Sequence, residues 1–106
     1  MKLIKRISND IAGNIDEARE KIRTAYELKA ESPEAAAWYR EMAQAHIGFN
    51  SKGHEAIKKL IEAYKASDEY RRNPAFADGM MGAWNAIHDD LIAKTAEVKA
   101  MVDGFK

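Results

Sequence analysis

An all-α fold, an antiparallel bundle of long helices, is what this sequence predicts, and three observations carry the prediction. Apolar residues recur at steps of three and four along most of the 106 residues. Charged residues fall on the opposite faces, some at i,i+4 spacing such as Glu17 and Lys21. The only two prolines, Pro33 and Pro74, each follow a good N-cap residue, Ser32 and Asn73. Proline at the first helical position loses no intrahelical hydrogen bond, so these dipeptides read as helix starts. They divide the chain into three helices over about 3–31, 33–71 and 75–104. A closely related four-helix variant would break near 50–53.

In the first helix Ile4, Ile7, Ile11, Ile15, Ala18, Ile22 and Ala25 form one stripe. In the last, Ala77, Met81, Trp84, His88, Leu91, Thr95, Val98, Val102 and Phe105 step by four and three, a heptad-like seam. The middle segment decides the helix count. Wound as one helix, it places Trp38, Met42, Ala45, Phe49, Ala56, Leu60 and Ala63 in one band. Ala43, Ile57, Ile61 and Tyr64 fall in a neighbouring band, while Arg40, Glu41, Gln44, Lys52, Glu55, Lys58, Lys59, Glu62 and Glu69 lie opposite. A loop inside "HIGFNSKGH" would scramble that phase. One long helix with a half-cylinder of apolar surface suits a central element facing two neighbours. Gly48 and Gly53 oppose this, each costing about 0.8–1 kcal/mol in a helix interior. Gly53, however, projects toward the apolar half, where a small residue permits close helix approach.

The composition bounds the function. An apolar fraction of 46% and a charged fraction of 32% belong to one globular domain spanning residues 1–106. Seventeen basic residues balance seventeen acidic ones, so no global field draws the chain to nucleic acid or anionic lipid. The start, with Lys2, Lys5 and Arg6 beside Leu3, Ile4 and Ile7, is basic and amphipathic, but its apolar face continues the core stripe rather than marking a membrane anchor. Cysteine is absent, which removes disulfides, thiolate metal sites and cysteine nucleophiles. With neither a signal-like leader nor an apolar run of ~18–20 residues, a cytoplasmic location is expected.

Antiparallel packing brings Asn14, Asn50 and Thr95 to one level inside the bundle. His54 is expected a turn along, near Asp10 and Leu91, with His88 another turn away and His46 on the far side of the asparagines. One reading is a buried polar layer of Asn14, His46, Asn50 and Thr95 that fixes register at some cost in stability. The other is a metal site for iron, manganese or zinc, held by His54, His88 and Asp10 between helices. In outline such a bundle is similar to ferritin-like proteins, a likeness of architecture. Their Glu-x-x-His motif is missing, since Gln44 and Lys58 stand three residues after Glu41 and Glu55. No phosphate loop or Gly-x-Ser-x-Gly elbow occurs. The "HDD" at 88–90 points its side chains about 100° apart on a helix. The sequence points away from an enzyme.

The hairpin formed by 63–83 is expected to overhang the first helix, and it carries Tyr64, Tyr70, Phe76, Met80 and Met81, with Trp84 at its base. Bare apolar surface rich in Met and aromatics marks interfaces. The expected function is therefore a non-enzymatic interaction or assembly protein whose tip, 63–84, pairs with itself in a homodimer or takes a partner helix. An irregular cap over the hairpin is the alternative. Trp38 and Tyr39 are expected to pack in the core near Tyr26, Val102 and Phe105.

Overall fold

The computed structural model describes residues 2–106. Three long helices run antiparallel: α1 (Lys2–Leu28), α2 (Pro33–Lys65) and α4 (Pro74–Asp103), with one short helix, α3 (Asp68–Arg72), before the last. No strand occurs among the described residues, and none of the helices is long and apolar enough to cross a membrane. The bundle is a rod of 61 × 17 × 15 Å.

α2 passes through Gly48 and Gly53 without a break, so the apolar phase on either side of them stays in register. Gly53 is where α1 comes closest. A Cβ there would lie 2.9 Å from both Cγ1 and Cδ1 of Ile11. Gly48 has no such neighbour within 4 Å.

Two helix ends differ from the expected bounds. α1 stops at Leu28 rather than near 31, and the Ser32 amide closes its last turn on the Leu28 carbonyl at 2.8 Å. The second helix does not reach 71. It ends at Lys65 because Ser67 starts a new helix: its hydroxyl donates to the Tyr64 carbonyl (2.6 Å) and accepts from the Tyr70 amide (3.3 Å). A serine that satisfies both the last carbonyl and a new first amide competes with helix continuation. The caps before the prolines also differ from one another. Asn73 Oδ1 accepts from the Phe76 amide, whereas the Ser32 side chain makes no cap bond.

The core is the expected α1 stripe, in which only Ile7 is half-buried, packed on the α4 seam. α2 contributes Ala36, Ala43, Ile47, Asn50, Ile57, Ile61 and Tyr64. Alanines at 18, 25, 36 and 43 let the helices approach closely at the end remote from the tip. There Tyr26 stacks edge-on against Phe105, ring centres 5.1 Å apart, and donates to the Met101 carbonyl. Trp38 does not join that core. It is 57% exposed and touches Tyr39 edge-on at 5.1 Å, because its position lies on the outer side of α2, one band away from the seam.

Candidate functional site

Three regions carry the candidate residues: a polar layer at mid-bundle, the tip, and an open face of α2.

The polar layer begins with Asn50, fully buried on the α2 seam. Its Nδ2 donates to the Ile11 carbonyl (3.3 Å) on α1 and to Thr95 Oγ1 (3.4 Å) on α4. The Thr95 hydroxyl donates its own proton to the Leu91 carbonyl at 2.8 Å. His54 Nε2, 3.4 Å from the same oxygen, must therefore be the donor in that contact, which leaves His54 Nδ1 as the bare acceptor. One turn back, His46 Nδ1 donates to Asn14 Oδ1 at 3.1 Å, tying α2 to α1. The expected single level is thus split over two adjacent turns: Asn50 ties α2 to Ile11 of α1 and Thr95 of α4, and His46 ties α2 to Asn14 of α1 one turn away.

The histidines of α2 and α4 meet beside this layer. The rings of His54 and His88 lie 4.9 Å apart, centre to centre, and are tilted by 35°. Burial, and then the neighbouring charge of His88, hold the His54 pKa below the usual imidazole value. Three buried atoms in this region lack a partner: Asn50 Oδ1, His54 Nδ1 and His88 Nε2. All three can act as acceptors, so what the layer lacks is a donor or a cation. Asp10 does not supply the third metal ligand expected from the sequence. It lies exposed on α1, and no group of three His, Cys, Asp or Glu side chains that could hold an ion forms among the described residues. Asp10 is exposed on the outer face of α1, whereas His54 and His88 meet between α2 and α4.

The tip is less bare than its overhang suggests. α3 folds back across the hairpin, and Tyr64 and Met81 are buried inside the chain itself. Tyr64 packs edge-on against Tyr70 (6.4 Å) and Trp84 (5.5 Å), and the Tyr70 hydroxyl donates to Asp78 at 2.9 Å. That bond, together with burial, pushes the Tyr70 phenol pKa above its ordinary value. Tyr70, Met80 and Trp84 are half-buried, and Phe76 stands out at 63% exposed. Near their base a groove of about 450 Å³ runs between the first two turns of α1 and the stretch of α4 from Trp84 to Ile87. Ile4, Trp84 and Ile87 line its apolar part, and Lys2, Lys5, Ser8 and Asn9 line its α1 rim. Ile87, which the sequence did not single out, is 53% exposed.

The open face of α2 is the third region. The apolar half-cylinder read from the sequence splits into a covered and an uncovered strip. Ala45, Phe49 and Ala63 are exposed with Trp38, and Met42, Ala56 and Leu60 are half-buried. Phe49, at 64%, is the most exposed large apolar side chain among the described residues. The sequence places this strip one band around the helix from the Ile57–Ile61–Tyr64 seam, but not which of the two bands the neighbouring helices cover.

No protein-family model, no curated protein and no solved structure matches this chain.

Proposed function

We propose that the protein is a small, non-enzymatic helical interaction module whose tip, 63–84, receives an amphipathic helix from a partner protein. The observation that carries this reading is the groove at the base of the tip, where Trp84 meets the start of α1. Trp84 and Ile87 form an apolar wall against Ile4, and Lys2 and Lys5 stand along the rim. A groove parallel to two helices fits a third helix laid between them, apolar face down. The lysines favour acidic residues on the flank of that incoming helix.

The test uses a chain carrying Trp38→Phe, so that Trp84 is the only indole, titrated with an amphipathic helical peptide. The peptide is five turns long (~18 residues), with leucines on one face and glutamates on its flanks. A saturable change in Trp84 fluorescence is expected, lost with Ile87→Asp. It should weaken by at least about tenfold when lysines replace the glutamates. Equal response to both peptides, or a response that survives Ile87→Asp, contradicts the reading.

A second reading rests on the unpartnered acceptors of the polar layer. His54 Nδ1 and His88 Nε2 are both buried without a partner, and their rings lie 4.9 Å apart, a pair of imidazoles of the kind that binds zinc, manganese or iron. Elemental analysis of untagged protein prepared without chelator tests it. Near-stoichiometric metal, lost in both His54→Ala and His88→Ala, supports a metal-binding bundle. Trace metal in all three leaves the histidines as structural residues.

A further inference from the structure

The open face of α2 has a symmetry that neither the tip nor the polar layer shares. Taking Phe49 as centre, Ala45 and Gly53 lie four residues to either side, Met42 and Ala56 seven, and Trp38 and Leu60 eleven. A stripe that reads the same in both directions is what an antiparallel copy of itself requires. At a two-fold axis, residue 49 meets residue 49, and 38 of one copy comes level with 60 of the other. Residue sizes follow the same logic. Exposed Ala45, one turn from Phe49, leaves room for the second ring, while the space beside Gly53 is filled by Ile11 of α1, and the bulky Trp38 comes level with Leu60 rather than with another indole.

The neighbouring helix carries the matching charge pattern. The contacts of Asn14 with His46 and of Ile11 with Asn50 put residue 12 of α1 level with Phe49. Arg6, Asp10, Gly13 and Glu17 share the exposed outer face of α1 beside the stripe. Around the same axis, Arg6 of one copy comes level with Glu17 of the other, twice per dimer, and Gly13, which has no side chain, leaves the space near the axis open. On the far rim of the stripe, exposed Glu41 comes within a turn of the other copy's Lys59. The strip from Trp38 to Leu60 is ~33 Å long and two helices (~18 Å) wide, a footprint of ~600 Å². That approaches the ~800 Å² per partner of a standard stable interface.

We propose that α2, flanked by α1, docks face to face on a second copy of this chain, antiparallel, with the two-fold axis at Phe49. The two α1–α2 layers then form a four-helix interface, with α4 and the tip groove of each copy left on the outside. This goes beyond the tip reading, since it concerns another face and another partner.

Because the chain has no cysteine, single substitutions report the register directly. On oxidation, Phe49→Cys should link to itself, and a mixture of Trp38→Cys with Leu60→Cys should link far more than either alone. Phe76→Cys at the tip should not link. Arg6→Glu should weaken association by roughly tenfold or more, and the swap Arg6→Glu with Glu17→Arg should restore it. Efficient linking by Trp38→Cys alone would mean a parallel pair and would overturn the proposal. So would linking at Phe76 without linking at Phe49, or a charge swap no better than its single parent. A failure of the tip groove to bind peptide leaves these outcomes unchanged, so the two readings fail separately.

Discussion

α2 carries two apolar strips of similar length that differ in what covers them. The seam of Ala36, Ala43, Ile47, Asn50, Ile57, Ile61 and Tyr64 is enclosed by α1 and α4. The strip beside it, centred on Phe49, has α1 on one edge and water on the other. Both are equally apolar by composition, so hydrophobicity alone does not divide them. The difference lies in geometry: three helices around a common axis can cover roughly one face of each, and α2 has more apolar surface than that. The covered strip holds the fold together, and the open one is free for assembly.

The largest expected effect separates the two strips by stability. Ile57→Ala removes a fully buried side chain and should cost ~2–5 kcal/mol in chemical denaturation. Phe49→Ala, at an exposed position, should stay within about 0.5 kcal/mol when measured on dilute, dissociated chain. Comparable losses would mean that Phe49 is part of the fold.

The two glycines of α2 sharpen the same contrast. Gly53→Ala places a Cβ against Ile11, including its inner Cγ1, so α1 must shift or repack. A net destabilisation of about 1–2 kcal/mol is expected despite the better helix propensity of alanine. Gly48→Ala meets nothing and should stabilise by roughly 0.5–1 kcal/mol. Thermal unfolding of both variants checks the opposite signs.

Within the covered strip, Asn50 is the exception. Its two hydrogen bonds are long, 3.3 and 3.4 Å, and its Oδ1 is unpaired. Asn50→Leu should leave the bundle folded and neutral or more stable, by up to about 1 kcal/mol, with a less uniquely packed interior. Denaturation combined with the dispersion of side-chain NMR signals reads both quantities. Loss of the fold would show the layer to be required.

The smallest effect is a pH dependence. The His54 pKa is lower in the folded chain than in the unfolded one, through burial and the neighbouring His88. The unfolded state therefore binds more protons between the folded value and ~6.5, and stability falls as pH drops through that window. Melting temperature should decrease from pH 7 downward, and His54→Asn should flatten that decrease. An unchanged slope in the variant would place its origin elsewhere.

How much of this was legible in the sequence follows from the same geometry. Periodicity and the two proline caps were enough for the long antiparallel helices and for a second helix uninterrupted at Gly48 and Gly53. The polar layer was legible to within a turn because helix levels follow from turn positions at 1.5 Å per residue. The end of α2 was not, since it depends on the Ser67 hydroxyl choosing the Tyr64 carbonyl and Tyr70 amide over solvent. Nor was the exposure of Trp38 and Phe49. Levels along the axis can be counted from sequence, but the angular position of the neighbours around α2 depends on α1 closing in at Gly53. The placement of Asp10 failed for the same reason: its direction around α1 was not readable.

The most direct test of the open strip's role is sedimentation equilibrium of the whole chain and of Phe49→Glu, each also checked for helicity by circular dichroism. A wild-type species of twice the 11.9 kDa chain mass, with an equally helical but monomeric Phe49→Glu, is the predicted result. A wild-type chain that stays monomeric at high micromolar concentration, or a Phe49→Glu chain that remains dimeric, would contradict it.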